Sequence, residues 1–282
     1  MFEVREWTRS DTARLFRAPT AEDDKYARGV VALRTGSPAY PGAAVLGVEA
    51  AWRSGAGFVR YVGAERVADA VLARRPETVV GADAGRSRVD AWVIGSGTDP
   101  ADRSDAEGAA LREILAGSAP VVIDAGALDL APGARAPFLV TPHAREFARL
   151  QERLRVSSTD DARSDDARAD AARQVAATIG GTVLLKGART LIAAPDGTVL
   201  AVEAGTGWLA TAGTGDVLAG VLGAVLAANP DAPLSDAAAA GAWLHGHAAR
   251  IAAGVLDGGP GHPIVALDVA EALPSAIESV LA

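Results

Sequence analysis

Phe138-Leu139-Val140-Thr141-Pro142-His143-Ala144-Arg145-Glu146 sets the reading of the whole chain. Its first residues are apolar without alternation, as in a strand covered on both faces. Thr141 and Pro142 then read as an N-cap and a first-turn proline, opening a helix over 144–154. The same unit recurs in both directions. Strand runs stand at Gly29-Val30-Val31-Ala32-Leu33, Phe58-Val59-Arg60-Tyr61-Val62, Ala91-Trp92-Val93-Ile94, Pro120-Val121-Val122-Ile123-Asp124 and Thr182-Val183-Leu184-Leu185-Lys186. Helix candidates occupy 42–54, 65–74, 105–116, 144–154 and 165–179. This alternation predicts βαβ units: an α/β fold with a mainly parallel central sheet and helices on both faces.

Pro195-Asp196-Gly197 interrupts the pattern between Leu191-Ile192-Ala193-Ala194 and Thr198-Val199-Leu200-Ala201-Val202. That reads as a β-hairpin at an edge, closed by a tight turn. Helices follow over 215–228, 235–253 and 268–281. With neither an internal repeat nor a long linker, the expectation is one domain over 1–282. The acidic run from Thr159 to Asp170 reads as a solvated helix start, with Asp and Ser favoured by the macrodipole.

The chain has 282 residues, 49% hydrophobic and 22% charged, with a net charge of −8. An acidic balance argues against a nucleic-acid backbone or an anionic membrane as main partner. Cysteine is absent, which excludes disulfides, thiolate metal sites and cysteine nucleophiles. The N-terminal residues carry no apolar core of a signal peptide, and no run reaches membrane-spanning length. A cytoplasmic location is expected.

Chemistry concentrates in Thr211-Ala212-Gly213-Thr214-Gly215-Asp216, followed by an apolar helix. Glycines before a helix let free backbone N–H groups approach an anion, and a transferring phosphoryl group suits such a site. Asp216 at its mouth reads either as the base that accepts a proton from an attacking hydroxyl or as an ordinary N-cap. Upstream, Leu184-Leu185-Lys186-Gly187-Ala188-Arg189-Thr190 ends a buried strand where open α/β sheets bind ligands, and Lys186 and Arg189 supply positive charge there. His143 would face the same rim, and reads either as a ligand contact there or as an ordinary loop histidine. Gly95-Ser96-Gly97-Thr98 and Pro41-Gly42-Ala43-Ala44 form further glycine-bearing strand-to-helix turns. Asp124 reads equally as a ligand for a metal or ribose and as a turn cap. His245 and His247, two residues apart on a helix, point to different faces and do not pair on a metal. The dinucleotide G-x-G-x-x-G, the Walker G-x-x-x-x-G-K-[ST] and the G-x-S-x-G elbow are all missing.

Together these motifs resemble the ribokinase-like superfamily, and within it the ADP-dependent NAD(P)H-hydrate dehydratases. The resemblance rests on Tyr40-Pro41-Gly42-Ala43-Ala44, Arg53-Ser54-Gly55-Ala56-Gly57, Val122-Ile123-Asp124-Ala125, Thr141-Pro142-His143, Lys186 to Thr190, Ala210 to Gly220, and Leu244-His245-Gly246. It implies a lyase that repairs hydrated NADH or NADPH with ADP, or ATP, as phosphoryl donor and Mg²⁺ beside the phosphates; no residue is assigned as a metal ligand. It further implies that Lys186, Gly187, Ala188, Arg189, Thr190 and Gly215 contact the nucleotide. Asp216 would be the base, with Gly213 and Gly215 forming the anion hole, and Ala43, Gly97, His143 and Asp216 would contact the hydrated cofactor. Members assemble as dimers to tetramers, so a homo-oligomer, here a homotetramer, is implied. An epimerase acting on the same substrate would be a separate protein.

The chain departs from the family pattern at Asp24 to Gly29, at Arg34-Thr35-Gly36-Ser37, and at Gly205-Thr206-Gly207-Trp208-Leu209, where an Asn-Pro-Gly-Met run is usual. Trp208 would stack on adenine or fill core. Two other readings share the motif: a small-molecule hydroxyl kinase such as a thiamin-precursor kinase, and a nucleotide-binding regulator without catalysis. The pairing of Thr141-Pro142-His143 with Leu185-Lys186-Gly187 favours the dehydratase over the kinase.

Overall fold

The computed structural model describes residues 2–85, 87–156 and 164–282. Its strands are β1 (Val4–Glu6), β2 (Val30–Arg34), β3 (Phe58–Val62), β4 (Val79–Gly81), β5 (Ala91–Ile94), β6 (Val121–Ile123), β7 (Phe138–Val140), β8 (Thr182–Leu185), β9 (Thr190–Ala193) and β10 (Val199–Val202). They form one sheet in the order β1-β10-β9-β8-β7-β6-β5-β2-β3-β4. Neighbours run parallel except where β9 pairs with β8 and β10. The hairpin β9–β10 therefore lies one strand in from the edge, which β1 closes by pairing parallel with β10.

The α-helices are α1 (Arg9–Ala13), α2 (Pro41–Arg53), α3 (Glu65–Arg74), α4 (Asp105–Leu115), α5 (Ala144–Leu154), α6 (Asp165–Ile179), α7 (Thr214–Ala228), α8 (Leu234–Ala252) and α9 (Ala266–Leu281). One sheet face packs α2, α7, α8 and α9: Val31, Leu33, Val93, Leu139, Leu184 and Leu200 point into that layer. The other packs α4, α5 and α6 against Ile94, Ile123, Val140, Val183 and Leu185. Successive strand residues thus enter different cores, which is why the strands read as unbroken apolar runs.

The acidic run resolves in part. From Ser164 onward it forms the start of α6, where the Ser164 hydroxyl accepts from the N–H of Ala167 and Asp165 and Asp166 occupy the first turn. Residues 159–163 of that run lie outside the described residues. Among the described residues no helix is long and apolar enough to cross a membrane.

Candidate active site

Strands β5, β6, β7 and β8 are parallel neighbours, so their carboxyl ends meet at one rim. Each delivers one polar group just past its last residue: Ser96, Asp124, Thr141 and Lys186. The Asp124 carboxylate, 3% exposed, collects the other three. Ser96 Oγ donates to Oδ2 at 2.9 Å, Thr141 Oγ1 to Oδ1 at 2.7 Å and Lys186 Nζ to Oδ1 at 3.0 Å. Asp124 makes no side-chain cap. The expectation of Thr141 as an N-cap is corrected here as well: its hydroxyl is spent on Asp124, and the Pro142 carbonyl accepts from the Lys186 N–H at 2.9 Å.

His143 takes the N-cap place of α5 instead. Its Nδ1 accepts from the N–H groups of Arg145 at 3.1 Å and Glu146 at 3.3 Å, while Glu146 answers by accepting from the His143 N–H. Its Nε2 lies 3.5 Å from Glu146 Oε1, so both ring nitrogens are turned toward the first turn of α5.

Helix α7 meets this rim with its N-terminus. Gly213 is its cap residue at φ +88°, a left-handed conformation in which an added Cβ would stand 2.7 Å from Leu46. Having no side chain, Gly213 leaves the first-turn amides without a side-chain cap, an arrangement that suits an anion. Asp216 is therefore not the cap. It is the third residue of α7, and among the described residues nothing hydrogen-bonds its carboxylate. Burial, with the Asp124 charge adding to it and Lys186 opposing, raises its pKa to about 6. Such a value suits a base working near neutrality. Lys186 is also largely buried, which disfavours its charge, but Asp124, Glu146 and Asp216 outweigh this and hold its pKa above the ordinary value.

A cleft of about 510 Å³ opens between the β8–β9 loop and α7, lined among others by His143, Lys186, Gly187, Ala188, Thr190 and Gly215. The Lys186 ammonium lies 3.6 Å from where a Gly215 Cβ would be, so the strand-end cation and the helix N-terminus converge on one spot. The residues expected to hold a nucleotide thus come together, except for the Arg189 side chain. Its guanidinium pairs with Glu6, with Asp165 at 3.5 Å and with Glu203 at 3.2 Å. The expected substrate residues divide. Gly97 and Ala43 touch, an added Cβ on Gly97 standing 2.3 Å from Ala43 Cβ, whereas His143 lines the 510 Å³ cleft. Asp124 joins the two regions, through Ser96 on one side and Lys186 on the other.

Three features escaped the sequence. Arg168 of α6 reaches over Gly187 to donate to the Arg189 carbonyl at 3.3 Å, supporting the loop from behind. His245 is buried against the cleft, with Nε2 unpartnered among the described residues, and burial lowers its pKa to about 4, so the ring is neutral. Trp208 does not fill core: it is 37% exposed and its Nε1 donates to the Pro260 carbonyl at 2.9 Å. All three lay in stretches singled out beforehand, Arg168 in the acidic run, His245 in Leu244-His245-Gly246 and Trp208 in Gly205–Leu209, but none for these contacts.

Comparison with known proteins places the chain in a family and a fold. The profile of the NAD(P)H-hydrate dehydratase family matches residues 31–255. The ADP-dependent (S)-NAD(P)H-hydrate dehydratase of Neisseria meningitidis serogroup B is 38% identical over 86% of this chain and 86% of that one. The bifunctional NAD(P)H-hydrate repair enzyme Nnr of Mycobacterium leprae is 42% identical over 89% of this chain. The chain spans 51% of that relative, and 32 to 39% of the Corynebacterium glutamicum and Mycobacterium tuberculosis ones. The crystal structure of the Bacillus subtilis ADP/ATP-dependent NAD(P)H-hydrate dehydratase, co-crystallised with ATP/Mg²⁺, superposes with a TM-score of 0.83, at 28% identity over 99% of this chain and 100% of that one. The expected ribokinase-like α/β architecture is borne out. The chain belongs to the NAD(P)H-hydrate dehydratase family.

Proposed function

We propose that this chain dehydrates the S-form of hydrated NADH or NADPH, using ADP and releasing AMP and phosphate. The observation that carries this reading is Asp216, unbonded and raised to a pKa of about 6, at the mouth of an uncapped helix N-terminus that faces Lys186. A base and an anion hole at one point serve phosphoryl transfer to a hydroxyl. The nucleotide lies along Lys186 to Thr190, its terminal phosphate on the amides of Gly213 to Gly215 and the Lys186 ammonium. The hydrated ring lies between Ala43, Gly97 and Asp216, with His143 at the edge of the neighbouring cleft as a further contact.

Asp216 accepts the proton as the ring hydroxyl attacks the terminal phosphorus, and the bond from that phosphorus to the AMP oxygen breaks. The carbon–oxygen bond then breaks as the ring nitrogen lone pair pushes in, phosphate departs, and a neighbouring C–H proton passes to that phosphate as the ring double bond is restored. Mg²⁺ fits as a companion of the nucleotide. Among the described residues no group of three or more acidic or histidine side chains stands ready to hold a metal, and Mg²⁺ is commonly bound by one or two carboxylates plus substrate phosphates. Asp124 is already occupied and Asp216 is kept for the proton, so the phosphates and water would hold the ion. The ion would neutralise phosphate charge.

The same reading makes residues 1–282 one ribokinase-like unit, working as a homotetramer in the cytoplasm, with an epimerase supplying the S-form. The bifunctional repair relatives support a second activity acting on the same substrate. Absorbance at 340 nm tests the proposal: purified protein is mixed with hydrated NADH, Mg²⁺ and either ADP or ATP. A rise that requires nucleotide is expected. A flat trace with both nucleotides, from folded protein, overturns it.

A further inference from the structure

The turn at Gly97, Thr98 and Asp99 separates two lobes beyond the reacting centre. One, of about 190 Å³, lies toward Ser37 and Tyr40. Its arginines are already neutralised, Arg34 by Glu107 at 2.6 Å and Arg103 by Asp129 at 2.6 Å. The other, of about 400 Å³, lies between Thr98, Gly126 and α5, and is lined by Arg149 and Arg153. These are four residues apart on one helix, so their side chains share a face.

Acidic groups of this second lobe are committed elsewhere. Asp129 holds Arg103, Glu146 accepts from the His143 N–H at 2.9 Å, and Asp99 accepts from the Ala101 N–H at 2.8 Å. Among the described residues neither Arg149 nor Arg153 has a carboxylate partner. Two uncommitted guanidinium groups in one concavity of a chain with net charge −8 form an anion site.

Position narrows the anion. α5 begins at His143 on the reaction rim, and at a helical rise of 1.5 Å per residue Arg149 and Arg153 lie about 9 and about 15 Å along its axis. That distance suits the far end of a dinucleotide rather than its reacting ring. A phosphomonoester carries about −1.5 to −2 charge at neutral pH and three acceptor oxygens, which matches two guanidinium groups better than a singly charged diester does.

We propose that Arg149 and Arg153 form the subsite for the ribose phosphomonoester that distinguishes NADPH from NADH, so that this chain prefers the hydrated NADPH substrate. The inference rests on the dehydratase reading for its substrate, and two readouts keep their failures apart. The first is direct binding of the reaction products, NADPH and NADH, followed by fluorescence titration, which needs no turnover. The second is kcat/KM for the two hydrated cofactors at saturating ADP.

In both, the unaltered protein favours the phosphorylated form by about tenfold or more, since each tenfold step corresponds to one modest charge-assisted contact. The Arg149→Ala/Arg153→Ala double variant brings the ratio close to one, with the kinetic loss carried by KM for hydrated NADPH. Both residues are exposed on α5, and an unchanged melting curve shows that the variant folds. A ratio that stays the same in the variant overturns the subsite. So does an equal loss for both forms, which assigns the arginines to the shared diphosphate. NADPH preference in binding without turnover of either hydrate upholds the subsite and sinks the dehydratase reading alone.

Discussion

The Lys186 ammonium sits 3.0 Å from Asp124 Oδ1, although 62 residues separate them. The pair lies under the point where the β8 rim and the α7 N-terminus converge, and among the described residues Asp124 carries no other cation. Removing the lysine leaves a carboxylate that is 3% exposed with only two hydroxyls. Lys186→Met is expected to cost roughly 3 kcal/mol of stability, because an unpaired buried charge is costly. The Asp124→Asn/Lys186→Met double variant recovers most of it. Urea unfolding of the single and double variants reads this coupling, and simple additivity would refute it.

Replacing Asp216 with Asn tests its role as base. The rate is expected to fall by a factor of about 10² to 10⁴, the range for loss of a general base, while ADP binding persists. Steady-state kinetics together with calorimetric titration of ADP distinguish this from a sensor, in which the substitution changes little.

The same side chain predicts a pH profile. Asp216 works ionised and its pKa lies at about 6, so kcat/KM falls about tenfold per unit below that pH. The Asp124 charge is one cause of the elevation, so Asp124→Asn moves the acid limb to lower pH. A limb that stays in place would show that the titration belongs to another group.

Asp216 also lowers the stability of the unliganded protein. Its folded pKa of about 6 exceeds the ordinary 3.8, so the folded state binds the proton more tightly. The contribution is therefore most favourable below about pH 4 and is lost as pH rises through 6. Asp216→Asn is expected to stabilise the protein at pH 7 by on the order of 1–2 kcal/mol, with the gain vanishing below pH 4. Melting temperatures across that range provide the measurement.

Gly97→Ala strikes the substrate side. Gly97 has φ +67°, and its new methyl would stand 2.3 Å from Ala43 Cβ. A loss of roughly 2–3 kcal/mol is expected from backbone strain and overpacking together. Adding Ala43→Gly relieves the clash and leaves about 1 kcal/mol of backbone cost. Calorimetric melting of the single and double variants shows whether the second change rescues the first.

The central strands and nearly all the long helices were legible in the sequence because their signals are local. Unbroken apolar runs announced β2, β3 and β5 to β8, Pro195-Asp196-Gly197 announced the hairpin, and α3, α5 and α6 start and stop where their periodicity placed them. The glycines and Asp216 announced the α7 anion site. By contrast β1, β4 and α1, at three, three and five residues, left no readable period. Val4–Glu6 is a strand only because β10 offers it a partner.

The site divides along the same line. Residue types at a helix start and a strand end pointed to Asp216 and Lys186, and the family resemblance added Gly97 and Ala43. Sequence spacing could not decide between a cap, a ligand and a link for Asp124, nor foresee that Arg189 would turn to three carboxylates while Arg168 took up the support of its loop. Backbone conformation is set largely by neighbours along the chain. A charge's partner and its pKa depend on whatever the fold brings within a few ångströms, and for Asp124 and Lys186 that meant four parallel strands ending at one rim.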